Sequence, residues 1–363
     1  MRTRPRASWK ASRPSHWKSR SPRPDGPASA AFMKAFLIFL LKLALTGLCL
    51  WWAFSQVKFD RSIFTRPGAV DYCWLAAGAV LAGTSFVLQG LRWWLFLRGQ
   101  SLAVTPGRAV ELTLIDSLFS LASVSGIGGD AARIILLMRD HPGKKLVIAL
   151  AVMADHLAGL VSLALVFFVI SVAKFESLAD QSILGRGVIH FAWFYLGGGL
   201  AMVAMIFVCA SPPVHRRIHA NGRFARWPIM VRIPELYDVY RRNWKYAVGG
   251  LLVSFLMLAA YFSSYWCGMR AVGGQAGYGA VISAMPVIDA ISGMPISVAG
   301  VGVREKLFEV LMNDLAGVPA ETAVAASLAG FACNVLWALL GALFFLKKRD
   351  RITAAELEES KTD

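Results

Sequence analysis

The chain has 363 residues, 56% of them hydrophobic and only 17% charged, and carries a formal net charge of +16. Several apolar runs exceed the roughly 20 residues that cross a bilayer core, and they are continuous rather than alternating, which excludes a transmembrane β-barrel. The excess of Lys and Arg gathers in the tails and in one loop, the distribution that orients membrane helices, so nucleic acid is not implied as a partner.

Residues 1–32 are rich in Arg, Ser and Pro without apolar periodicity and read as a disordered basic tail. Met33-Lys34 looks like a fresh start, which leaves Met1 and Met33 as alternative initiators. The span that follows closes a leading segment over 33–57. Its apolar run is too long for the core of a signal peptide, so it reads as a retained transmembrane helix. Further long spans are expected at 72–97, 146–172, 188–210, 246–268 and 321–346, with shorter apolar stretches at 107–123 and 278–296. Pro142-Gly143 and Gly317-Val318-Pro319 close the short amphipathic pieces that follow the shorter stretches. Cys49, Cys73, Cys209, Cys267 and Cys333 lie in or at the ends of apolar segments, in no metal-ligating spacing. Neither a metal nor another cofactor is expected.

Each shorter stretch ends in a related glycine loop. Ser123-Val124-Ser125-Gly126-Ile127-Gly128 recurs 174 residues later as Ser297-Val298-Ala299-Gly300-Val301-Gly302. Applying the same offset, the span at 72 falls on the span at 246, and that at 146 falls beside the one at 321. The order of long span, short helix, glycine loop, short helix and long span therefore occurs twice. Charge decides whether the loops cross the membrane. If they did, the loop 211–245 would be external with Arg216, Arg217, Arg223, Arg226, Arg232, Arg241, Arg242 and Lys245. If both are re-entrant, every strongly basic segment is cytoplasmic, including both termini. The expected fold is an all-α polytopic membrane protein of about six full transmembrane helices plus two re-entrant helical hairpins. These form inverted repeats over 72–173 and 246–346, joined by a linker helix and basic cytoplasmic loop over 188–245 and followed by a cytoplasmic tail, 347–363. Paired, glycine-interrupted segments in matching halves point to a transporter binding site.

A glycine loop that opens a half-helix presents free N–H groups to an anion such as a lipid phosphate. Arg133 and Arg304 follow the loops closely and could both reach the headgroup, with bidentate geometry for phosphate. Asp130 and Glu305 could balance them in the empty site or engage a cationic headgroup; an ordinary interfacial ion pair is the alternative at each position. Asp155 and His156 sit mid-span, where ionisable residues are candidates by default, though a pair that locks helices would look the same. Glu111, Asp116 and Asp289 could line a cavity or cap a neighbouring helix. Arg92 is expected to reach the membrane interface beside its Trp neighbours, and Asn334 to hydrogen-bond across helices. The site set is Gly128, Gly129, Asp130, Arg133, Gly300, Gly302, Arg304, Glu305, Asp155, His156 and Asp116. No activated nucleophile or catalytic set is visible, and an enzyme is not expected.

These residues carry a resemblance. Gly128, Gly129, Asp130 and Arg133 match a Gly-Gly-Asp-x-x-Arg run placed after a membrane-dipping helix. Pro295, Ser297, Gly300, Gly302, Arg304 and Glu305 match a Pro-x-Ser-x-x-Gly-x-Gly-x-Arg-Glu run, and Arg92-Trp93 matches a pair ahead of the first motif. From about residue 35 to 346 the chain resembles the flippase-like membrane domain of lysylphosphatidylglycerol synthases and its stand-alone bacterial and archaeal relatives. The resemblance implies an integral protein of the inner membrane that moves a phosphate-bearing lipid between leaflets. The alternative is a non-transporting partner that presents a lipid-linked substrate to a separate glycosyl- or aminoacyl-transferase.

Overall fold

The computed structural model describes residues 70–122, 127–173, 182–211, 238–239, 241–294 and 297–349. The basic tail, the leading helix over 33–57, the first loop at Ser123–Gly126, most of the basic loop and the tail after Arg349 lie outside these residues.

Within them the chain is all-helical. In order come α1 (Tyr72–Gly99), α2 (Pro106–Ala122), α3 (Ile127–Asp140), α4 (Lys145–Ala173), α5 (Ile183–Ala210), α6 (Trp244–Ala271), α7 (Tyr278–Ser292), a single 3-10 turn (Val298–Gly300), α8 (Val303–Ala316) and α9 (Ala320–Arg349). Five of them, α1, α4, α5, α6 and α9, are long and apolar enough to cross a bilayer. The protein is a polytopic membrane protein. The remaining four have 17, 14, 15 and 14 residues. At 1.5 Å per residue they reach about 20–25 Å, short of a ~30 Å hydrocarbon core.

Local chemistry sets the ends. Asp71 caps α1 by accepting from the Cys73 and Trp74 amides, and Ser182 caps α5 by accepting from Gly185, each satisfying an orphan N–H of the first turn. Between α7 and α8 the chain reverses through Ala299, Gly300 and Gly302, at φ 52°, 73° and 86°. A Cβ on Gly300 would also come 2.9 Å from the Ser292 carbonyl. A left-handed backbone with no room for a side chain is a glycine's position.

The two long helices that open the halves pair most extensively of all. The Asp71 amide donates to the Ala271 carbonyl at 2.8 Å, and Asn243 Nδ2 donates to the Gly99 carbonyl at 2.8 Å. Asp71 and Asn243 are 172 residues apart, and so are Gly99 and Ala271. The start of each helix thus meets the end of the other, and α1 and α6 run antiparallel. The correspondence extends inward. Trp94 Nε1 donates to Val104 O at 2.9 Å, and Trp266 Nε1, 172 residues on, donates to Ala276 O at 3.3 Å. Each bond ties a long helix to the segment entering its short pair.

Arg108, near the start of α2, pairs with Asp140 at the end of α3 at 2.9 Å, and with Glu111 at 2.8 Å. The two short helices of the first half therefore fold back on each other. In the second half, Asp314 at the end of α8 accepts from Ser182 at the start of α5, Oγ to carboxylate 2.7 Å. Among the described residues the two larger apolar cores divide between the halves, with a small third one at Phe96, Leu150 and Ala154. One is built around Trp93, Leu97, Leu112, Ile115 and Ile148 of the first half. The other is built around Tyr265, Met285, Ile288, Phe308 and Leu311 of the second, with α4 and α5 against it.

Candidate functional site

Between the halves lies a cavity of about 340 Å³, at the small end of the roughly 300–1,000 Å³ of ligand sites. Its walls come from both halves: Asp116, Ser117 and Ser120 of α2, Tyr261 and Tyr265 of α6, Asp289 and Ser292 of α7, Ser297, Ala299 and Gly300 at the turn, Arg304 of α8 and Asn334 of α9. The turn itself packs on α2, so the tip of the second short pair meets the end of the helix that leads into the first loop.

Arg304 is 6% exposed and its guanidinium is held from three sides. Nε faces Glu305 Oε1 at 3.4 Å, Nη1 donates to the Tyr265 hydroxyl at 3.0 Å and Nη2 to the Ala299 carbonyl at 3.1 Å. The plane lies over Phe331, 3.8 Å from the ring centre, a cation–π contact. Two of its five N–H groups are left for a ligand. Glu305 is fully buried. Its Oε2 accepts from the Gly302 amide at 2.6 Å, and its Oε1 accepts from Ser327 Oγ at 3.3 Å. The expectation of a free, anion-ready helix N-terminus is corrected here. Glu305, the third residue of α8, folds back on the cap position, so the protein's own carboxylate serves that end.

Arg133 is placed elsewhere. It does not line the cavity, contrary to the expectation that both arginines would reach one headgroup. Its Nη2 meets Asp130 Oδ1 at 2.6 Å and its Nη1 meets Asp155 Oδ2 at 3.3 Å, with the guanidinium 4.9 Å from the Trp93 ring centre. Asp155, 1% exposed, also binds Arg92 Nε at 2.7 Å. His156 Nε2 lies 2.7 Å from Asp130 Oδ2 with its ring largely exposed. The result is a continuous chain, Arg92–Asp155–Arg133–Asp130–His156, drawn from α1, α3 and α4. Arg92 therefore does not reach out to water as expected: it is buried beside Asp155, whose carboxylate supplies a counter-charge in place of hydration.

Of the eleven predicted site residues, Asp116, Gly300 and Arg304 line the cavity. Gly302 and Glu305 stand directly behind Arg304. Asp130, Arg133, Asp155 and His156 form the separate ion chain. Gly129 joins the two. A Cβ there would run into Asp116 Oδ1, Ser120 Oγ and the Asp116 carbonyl, so its bare backbone lets α3 lie against the cavity-lining face of α2. Gly128 is half-buried beside it. Tyr261, Tyr265 and Ser297 belong to the site; the sequence pointed to Ser297 only as part of the second glycine motif, and to the tyrosines not at all. Ser297 opens the second glycine motif and was within reach of the repeat argument, whereas the tyrosines look like any aromatic on an apolar helix. Asn334 Nδ2 reaches Ser264 Oγ at 3.4 Å, the cross-helix bond expected of it.

The family model for the lysylphosphatidylglycerol synthase TM region matches residues 39–341. The chain belongs to that family. The match includes α1 to α8 and most of α9, and so contains the cavity and the ion chain alike. No curated protein and no solved structure matches the chain. As a member of the synthase TM-region family, it is a membrane protein related to lipid handling.

Proposed function

We propose that the protein moves a phospholipid or lipid-linked headgroup between the leaflets of the bacterial inner membrane, as a transporter and not as an enzyme. The observation that carries this reading is the cavity itself. It is a largely apolar chamber at the meeting of two halves into which both send polar side chains, framed by a left-handed glycine turn and holding one arginine with two N–H groups to spare. Non-helical backbone survives at membrane depth only where protein or a water-filled cavity satisfies it. The phosphate of the headgroup docks on Arg304, while the acyl chains stay in the bilayer.

The same reading takes the two halves as inverted repeats and the short pairs as re-entrant hairpins. Three contacts support it. The α1–α6 bonds are reciprocal, Arg108 closes the base of the first pair on one end of the bundle, and Asp314 ties the base of the second to the start of α5. With the basic ends of α1, α3 and α6 cytoplasmic, the first hairpin enters from inside and the second from outside. Both termini then lie inside. Transport follows if one repeat rocks against the other around the cavity.

The test is leaflet exchange of fluorescent phospholipids in vesicles containing only this protein. Exchange faster than in protein-free vesicles, and abolished by Arg304→Ala with the fold intact by size exclusion, is the expected result. No acceleration across several lipid classes overturns the reading.

A further inference from the structure

The charges facing the cavity do not balance once a phosphate enters. Arg304 is already matched by Glu305 behind it, at 3.4 Å. The other charged walls are two carboxylates, Asp116 and Asp289, one from each half. They stand at nearly the same step of their helices, since α2 begins at Pro106 and α7 at Tyr278. Asp116 is 8% exposed and its carboxylate makes no hydrogen bond or ion pair with the described residues. Its charged surroundings are Arg133 and Asp130 of α3 and Asp155 and His156 of α4. Arg133, the cation among them nearest to hand, is taken up by Asp130 and Asp155. Asp289 faces Tyr261 of α6 and Arg304 of α8, and Tyr261 lies 3.4 Å from the Tyr265 hydroxyl that already receives Arg304.

A buried carboxylate without a partner is too costly to remain bare; it takes a proton or a cation. An independent observation points to the same place. Ser297, 4% exposed, lines this cavity with a buried Oγ that finds no hydrogen-bond partner among the described residues, and Ser292 Oγ on α7 is in the same condition. Buried hydroxyls left unpaired are unusual and call for a ligand.

Building on the headgroup reading above, we infer that the cavity is also a monovalent-cation site. A proton or Na⁺ is held on the carboxylates that line the cavity, Asp116 first because it has no partner of its own, and for Na⁺ the Ser297 hydroxyl offers a further oxygen. The cation enters with the lipid phosphate and offsets its charge, so headgroup movement is coupled to a cation gradient. For the proton, one carboxylate accepts H⁺ from water on one side and returns it to water on the other, with no other bond made or broken.

Binding and movement are tested separately on the full-length protein. In detergent, ²²Na⁺ binding and a difference acid–base titration compare the wild type with Asp116→Asn and Asp289→Asn. The variants' retention on size exclusion guards against misfolding. In vesicles, exchange of labelled phosphatidylglycerol, which has no amine, is followed under an imposed Na⁺ or pH gradient. Saturable ²²Na⁺ binding weakened roughly tenfold or more (about 1.4 kcal/mol) by either substitution assigns Na⁺. A titrating group lost in the variants, with exchange that follows the pH gradient alone, assigns the proton. Wild-type protein showing neither ²²Na⁺ binding nor such a group overturns the inference. So does exchange confined to amine-bearing lipids and indifferent to both gradients, for then the headgroup's own ammonium fills the site. Should no lipid move at all, the transport reading fails, while the two binding measurements still decide the cation site.

Discussion

Asp155 carries two arginines and is 1% exposed, so its removal leaves Arg92 buried without a counter-charge. Breaking such a pair costs about 3–5 kcal/mol, although replacing all partners by apolar groups can be nearly neutral. Asp155→Asn is therefore expected to lower thermal stability in detergent strongly. Arg92→Met combined with Asp155→Leu should lose less than the two single changes together. The Arg108–Asp140 pair has the same chemistry in a wetter place, with side chains 14% and 29% exposed. Glu111 stays beside Arg108 at 2.8 Å when that partner is lost, so Asp140→Asn should move the same melting curve much less than Asp155→Asn. Gly129→Ala is a steric test. The added methyl meets the α2 backbone carbonyl as well as side chains, which cannot swing away, and overpacking of this kind costs about 1–3 kcal/mol. The melt of Gly129→Ala, beside that of Gly128→Ala, measures how closely α3 must lie on α2.

At the scale of elements, the apolar runs foretold the long helices to within a few residues. A run expected at 72–97 is Tyr72–Gly99, and one expected at 146–172 is Lys145–Ala173. Length and hydropathy are local properties, and a membrane helix satisfies its own backbone, so these boundaries need no tertiary knowledge. The faces were less legible. Arg92 beside Trp93 and Trp94 has the signature of an interfacial arginine, and nothing in its own neighbourhood announces Asp155, 63 residues away. Arg133 likewise follows its glycine loop, four residues past Gly129 where Arg304 stands two past Gly302, yet only Arg304 reaches the cavity. The difference comes from Asp155 on α4, which α9 does not reproduce at the equivalent place. The antiparallel pairing of α1 with α6 gives an element-scale test. In a cysteine-free background, cysteines at Asp71 and Ala271, whose backbones are bonded at 2.8 Å, are neighbours of the kind a disulfide bridges, for which Cα atoms stand about 4.4–6.8 Å apart. Oxidation should cross-link them efficiently. A parallel arrangement would put these positions at opposite ends of 28-residue helices, about 40 Å apart, and would give no cross-link.

For the whole molecule, the proposed arrangement puts the base of one short pair at a basic end of the bundle and the base of the second at the other end. The contacts among α1, α6, α2 and α3 place Gly99, Asn243, Arg108 and Asp140 with the basic end. The contacts of Asp71, Ala271, Ser182 and Asp314 place those residues with the other. A pair that returns to the side it came from leaves the sidedness of its flanking helices unchanged, whereas a pair that crosses reverses everything after it. Single cysteines at Asp140 and Asp314 therefore read the arrangement directly. A membrane-impermeant thiol reagent on intact cells should label the Asp314 position and leave Asp140 unlabelled until the cells are opened. Labelling of both from one side would make the halves parallel. The cavity would then lack the alternating exits that a rocking mechanism needs, and the Arg304 headgroup site would have to serve a single leaflet.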